Sequence, residues 1–182
     1  MLKNEILSLP DNWEAIMEQS MLKKPIGHRY ENVYICSPCR ADTPDGVVQN
    51  MKAARMYMFY AYQHLLGIPK APHAYLPVLL NDSYEGERAL ALQFGKQLLN
   101  VCDRMFVCGN KLSEGMYGEI VAAVELGISI EVFNRNVCDE LRERLLQEKI
   151  DPMCVQHEDN HLHFALALGA DELAPYWEET DT

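Results

Sequence analysis

Apolar and polar positions along the chain fall into blocks that read alternately as strand and helix. Residues 1–30 pattern as a helical lead-in, with Trp13, Ile16 and Met17 on one stripe and Pro25-Ile26-Gly27 closing it. Asn32-Val33-Tyr34-Ile35-Cys36 is a short apolar run expected to form a buried strand, and Ser37 to Gly46 is rich in turn formers. From Val47 to Leu66 apolar residues recur at threes and fours (Met51, Ala54, Met58, Tyr62), a helix that Gly67 can terminate. A second strand is expected near Lys70 to His73, a helix over Glu85 to Leu99, and a third strand from Arg104 to Cys108. Ser113 is placed to cap a helix running to about Leu126, and Ile128 to Phe133 is a fourth strand. Beyond Asn134 the pattern weakens to a helix over Asp139 to Gln147, a polar stretch, and a short apolar helix near His163 to Leu168.

Strand and helix alternating in this way is the pattern of βαβ crossovers and a parallel sheet. The expected fold is α/β: one doubly wound, mainly parallel sheet of four or five strands, with a C-terminal helical extension. The chain divides into a lead-in (1–30), the α/β domain (31–134) and the extension (135–182). Sheets of this kind bind ligands beyond the carboxyl ends of their strands, so the loops at 37–46, 73–84 and 109–119 are where chemistry is to be sought.

Composition narrows the classes. With 182 residues and a net charge of −11, the chain is long enough for one real core and too acidic to favour a nucleic-acid polymer or an anionic membrane. One local cluster of donors still suffices for a small anionic ligand. Its apolar runs are too short for a membrane span, and the N-terminus lacks a signal-peptide core. The six cysteines lie partly in apolar runs, as expected of small hydrophobes in a reduced, cytoplasmic protein.

Two strand-end segments carry candidate chemistry. In Ser113-Glu-Gly115-Met-Tyr-Gly118-Glu119 a carboxylate stands inside a helix whose amino end faces the cleft. Ser113 and the free N–H groups beside it form an anion-receptive rim, and the glycines remove bulk where a ligand would approach. In Val33 to Arg40, Ser37 and Arg40 can hold a phosphate and Tyr34 can orient a neighbouring carboxylate. The plainer reading of both is a helix cap, solvated charges and a core tyrosine.

Together the two segments resemble the nucleoside 2-deoxyribosyltransferase superfamily, nearest its 2'-deoxynucleoside 5'-phosphate N-hydrolase branch. The first strand of that branch ends in V-Y-φ-C-x-S-x-R, close to Val33 through Arg40, with Pro38 where the serine usually falls and Ser37 just before it. A later strand opens on an Asp, here Asp103, and S-x-G-x-x-x-E follows ten residues on, matching Ser113, Gly115 and Glu119. A histidine follows the second strand in the family, as His73 does here. The resemblance spans residues 31–133 and implies a Rossmann- or flavodoxin-like sheet. It also implies an N-glycosidic-bond enzyme acting on nucleotides or nucleosides, with Glu119 as nucleophile, Tyr34 as its orienter, and Ser113, Arg40 and Ser37 on a 5'-phosphate. Gly115, Asp103 and His73 would complete the substrate contacts. No cofactor is implied, and the family commonly assembles as homodimers or larger.

One departure stands out. The family usually places an Asp, which helps protonate the leaving base, eight residues before the position of Asp103; here that residue is Gly95. Glu87, Asp82 and His73 are the alternatives for the missing acid. A nucleotide-binding or sensing module that keeps the pocket without the acid is the rival reading. Two other signals are weaker. Cys36-Ser-Pro-Cys39 is a C-x-x-C, but it does not open a helix directly as a redox motif should. Cys154, His157, His161 and His163 have zinc-binding chemistry in a short, single, polar stretch, better read as surface or packing residues than as a metal site.

Overall fold

A computed structural model of the protein describes residues 30–176 except 65 and 82; the expected lead-in over 1–30 thus lies outside it but for its last residue. The elements are β1 (Asn32–Cys36), α1 (Pro44–Gln63), β2 (Ile68–Lys70), α2 (Leu76–Leu79), α3 (Glu85–Leu99), β3 (Arg104–Val107), α4 (Glu114–Glu125), β4 (Ser129–Val132), α5 (Arg135–Gln147), β5 (Val155–His157) and α6 (Ala170–Leu173). Short 3₁₀ turns cover Pro72–Ala74 and His161–Ala167.

All five strands are parallel, in the order β2-β1-β3-β4-β5. This is the doubly wound, flavodoxin-like order, whose switch point lies between β1 and β3. The side-chain period of two sorts the central strands into two faces. Tyr34, Cys36, Met105, Val107, Ile130 and Val132 pack with α4 and α5 and with Leu99 of α3. Val33, Ile35, Phe106 and Phe133 pack with α1 and with the C-terminal residues Ala165, Leu166 and Leu173.

Two expectations shift. The second strand ends at Lys70, so His73 lies past it in the 3₁₀ turn rather than in the strand. The stretch after 134 is mostly helical but also adds β5 to the sheet edge. Both are three-residue edge strands, one with a proline and one with Gln156 and His157, too short for alternation to show.

The ends of the helices follow from their caps. Thr43 accepts from the Gly46 N–H with Pro44 in the first turn of α1, and Ser113 accepts from the Met116 N–H at the start of α4. Gly67 (φ +146°) makes the turn into β2, where an added Cβ would lie 2.4 Å from Val33 Cγ2. Among the described residues no helix is long and apolar enough to cross a membrane.

Candidate functional site

The site is built on the α4 face. Tyr34 projects from the middle of β1 and is fully buried. The 3₁₀ turn after β2, begun by Pro72 and anchored by buried Ala71 and Ala74, carries His73. The second turn of α4, held inward by Met116 and Ile120, carries Glu119. Gly95, on α3, closes the group: a Cβ there would lie 3.4 Å from Tyr34 Oη and 4.0 Å from Glu119 Oε1.

The two carboxylate oxygens of Glu119 are treated differently. Oε1 takes a hydrogen bond from His73 Nε2 at 3.0 Å. Among the described residues Oε2 is buried without a hydrogen bond of good geometry, as is Tyr34 Oη, and the Tyr34 hydroxyl and the Cys36 thiol are the groups that interact with this carboxylate from below. Burial works against charge on His73. Hydrogen bonds to Cys39 and Glu119, together with the Glu119 charge, outweigh it and push the imidazole up to about 10. His73 is therefore cationic at neutral pH. Burial first, and then the Glu119 charge, holds the Tyr34 phenol well above its usual range. The fully buried Cys36 thiol is raised for the same two reasons, and it donates to the Met116 carbonyl. The result is a carboxylate held between the His73 cation at Oε1 and the buried Tyr34 and Cys36 beneath it. Fixed orientation of this kind is what a carboxylate needs to act as a nucleophile.

The other expected site residues are distributed unevenly. Ser113 is half-buried and serves as the cap of α4 (Oγ to Met116 N, 3.3 Å), and Gly115 lies exposed in the first turn. Ser37 is buried with its hydroxyl unpartnered. Arg40 is exposed and lines a cavity of about 320 Å³ with Lys111, Asn110 and Asn50; Glu119, Tyr34, His73 and Ser113 are not in that lining.

Asp103 stands apart from the cluster, at the amino edge of the sheet, where its Oδ2 accepts from the Asn32 N–H (2.7 Å). It joins β1 to β3 at their starts, a strand's length from the carboxyl ends where the loops converge. Glu87 is also apart. Its carboxylate accepts from the Asn81 N–H (2.6 Å), and it sits eight residues from Gly95, about 12 Å along the helix. Asp82 lies outside the described residues.

Cys39 and Asn50 belong to this neighbourhood without having been singled out as site residues. Asn50 Nδ2 donates to the carbonyls of Cys39 (3.2 Å) and Arg40 (3.1 Å), which pins the loop after β1 beside His73. Asn50 lies on α1 and belongs to no motif, and Cys39 reads in the sequence as half of a C-x-x-C. All six cysteines are free thiols. The histidines of the C-terminal cluster serve elsewhere. His157 contacts Arg135, and His163 packs edge-on to Tyr60 and Phe133. Among the described residues no group of three or more His, Cys, Asp or Glu is placed to hold a metal ion.

Residues 31–133 match the model of a family described as Domain of unknown function (DUF7768). The match covers more than half of the chain and takes in β1 through β4 with Tyr34, His73, Gly95 and Glu119. The chain belongs to that family. No curated protein and no solved structure matches it.

Proposed function

We propose that this protein cleaves or transfers at the N-glycosidic bond of nucleosides or nucleoside 5'-monophosphates, with Glu119 as nucleophile. The observation that carries this reading is the Glu119 carboxylate itself, with Oε1 on His73 and Oε2 turned toward the buried Tyr34 hydroxyl. The Glu119 carboxylate attacks the anomeric carbon as the base departs, through an oxocarbenium-like state that the nearby negative charge stabilises. The His73 imidazolium holds the carboxylate in place. It also stabilises the carboxylate when the second step releases it. Tyr34 bounds the carboxylate from below and orients it. Water in the second step gives hydrolysis, and a second base gives transfer. Ser113 and Ser37 are the proposed phosphate contacts on this side of the β1 loop, and Arg40 is proposed to reach the phosphate from the other.

A second reading, a nucleotide-binding or sensing module, draws support from Gly95, which stands where a leaving base would need its acid. The test is chromatographic base release from the four deoxynucleoside 5'-monophosphates and their nucleosides, with Glu119→Ala alongside. Release that disappears in the variant supports the enzyme. Nucleotide binding without release supports the module. Tyr75, Val78, Leu79, Leu90 and Phe94, exposed on α2, α3 and the turn before them, support the expected assembly as a homodimer or larger, which a sedimentation measurement tests.

A further inference from the structure

Departure of an ordinary nucleobase needs a proton, because the base would otherwise leave as an anion; a positioned acid contributes about 10²–10⁴-fold. Among the described residues, the groups around Glu119 are poorly placed to give one. Attack by the Glu119 carboxylate drives the base out on the opposite side of the anomeric carbon. The His73 Nε2 proton, by contrast, is bound to the nucleophile's own Oε1 at 3.0 Å, on the attacking side. The Tyr34 phenol and the Cys36 thiol are buried, hold their protons tightly, and lie beneath the carboxylate. Of the described carboxyls on the flanking helices, Glu87 stands apart and is taken by Asn81 N–H, and Glu114 is held by both terminal nitrogens of Arg144 (2.8 and 2.7 Å).

Gly95 is the informative residue. A Cβ there meets Tyr34 Oη at 3.4 Å and Glu119 Oε1 at 4.0 Å, ordinary contact distances, and nothing nearer. Its φ is not in the left-handed region either. Packing and backbone therefore do not require glycine at this point, and a side chain here would start beside Tyr34 and Glu119. The position accepts a Cβ and carries no acid.

We propose, resting on the glycosidic-bond reading above, that the substrates are glycosides of a cationic ring nitrogen: a pyridinium nucleotide or an N-alkylated purine nucleotide. Such a ring carries its own positive charge. When the C1'–N bond breaks, the electron pair goes to the ring nitrogen and the base leaves neutral, with no proton transferred. The Glu119 carboxylate forms the new bond to C1'. Water then displaces the carboxylate, leaving a hydroxyl at C1' and releasing one proton.

The test measures base release from nicotinamide mononucleotide, and from 7-methylguanosine 5'-monophosphate and its 2'-deoxy form, each methylated substrate against its unmethylated parent. The wild type and Gly95→Asp are compared, with spontaneous release subtracted. The expected result is kcat/KM at least about 100-fold higher on the cationic substrates than on the parents. Gly95→Asp should narrow that gap by raising release from the parents about 100-fold, the scale of a restored acid. Nicotinamide release without methylguanine release, or the reverse, decides between the two kinds of ring and supports the proposal. Parents cleaved by the wild type as fast as the cationic substrates would overturn this proposal and leave the glycosidic reading standing. Release from none of the substrates would overturn both. The wild-type comparison decides the matter even if Gly95→Asp does not fold.

Discussion

Two buried tyrosines, one on each face of the sheet, are treated in opposite ways. On the α1 face, Tyr60 is 2% exposed and its hydroxyl donates to the Leu162 carbonyl; burial alone pushes its phenol up to about 12. On the α4 face, Tyr34 is 0% exposed, its hydroxyl makes no hydrogen bond of good geometry among the described residues, and the group it faces is the buried Glu119 carboxylate oxygen in the same condition. Buried polar groups are nearly always paired, and an unpaired one costs about 1–3 kcal/mol. Tyr60 stitches the C-terminal residues onto α1, as a structural tyrosine does. Tyr34 and Glu119 instead set two buried polar groups against each other, the arrangement that the proposed chemistry on the α4 face would use.

The largest effect that sharpens this contrast is on Glu119. Glu119→Gln keeps the shape and a hydrogen-bond acceptor for His73, yet base release should fall by about 10³-fold or more, the scale of losing a nucleophile. Undiminished release would remove the reason for calling this face the active one.

Next comes the tyrosine pair itself. Tyr60→Phe should cost about 1 kcal/mol in denaturant unfolding, through the lost bond to Leu162, with base release unaffected. Tyr34→Phe should leave stability equal or slightly higher, since it removes an unsatisfied hydroxyl, while base release falls about tenfold or more. Matching stability losses in the two variants would break the comparison.

The third effect follows pH. His73 moves from an ordinary value of 6.5 to about 10 on folding, so the folded state holds its proton more tightly. The stabilisation from the His73–Glu119 pair is then full below about pH 6.5 and is lost as pH rises toward 10. The stability difference between wild type and His73→Gln should shrink over that window, as thermal melts at several pH values would show. A constant difference would mean that His73 acts by packing alone.

The smallest effect is at the helix cap. Ser113→Ala removes the acceptor for Met116 N–H and should cost about 1 kcal/mol. If Ser113 also meets the phosphate, KM should rise for monophosphates and not for the corresponding nucleosides.

The parts of the fold that were legible in the sequence are those with enough length to show a period. The bounds of α3 are read correctly because Glu85, Glu87 and the run to Leu99 span four turns. Strands β1, β3 and β4 are legible as apolar runs because the sheet's centre is covered on both faces. The edge strands β2 and β5 have three residues each and one exposed side, so local pattern carries little of their pairing.

At the site, the spacing from Ser113 to Glu119 could be read because one helix holds both residues, and Tyr34 because β1 runs directly beneath them. Gly95 is visible in the sequence as the departure, and its position beside Tyr34 and Glu119 follows from α3 packing against α4 and the 3₁₀ turn after β2. The capture of Glu87 by Asn81, the tie of Asp103 to Asn32 and the approach of Cys39 to His73 were not legible. Each depends on where a loop or a strand end comes to rest, which no local spacing encodes.

The most direct test of the account is covalent. Wild-type protein is mixed with a nucleotide substrate and quenched in acid within milliseconds, and its peptides are weighed. The account predicts a sugar-phosphate ester on the peptide containing Glu119, formed in step with base release and absent in Glu119→Gln. Base release with the adduct on another residue, or release that persists in Glu119→Gln, would contradict it.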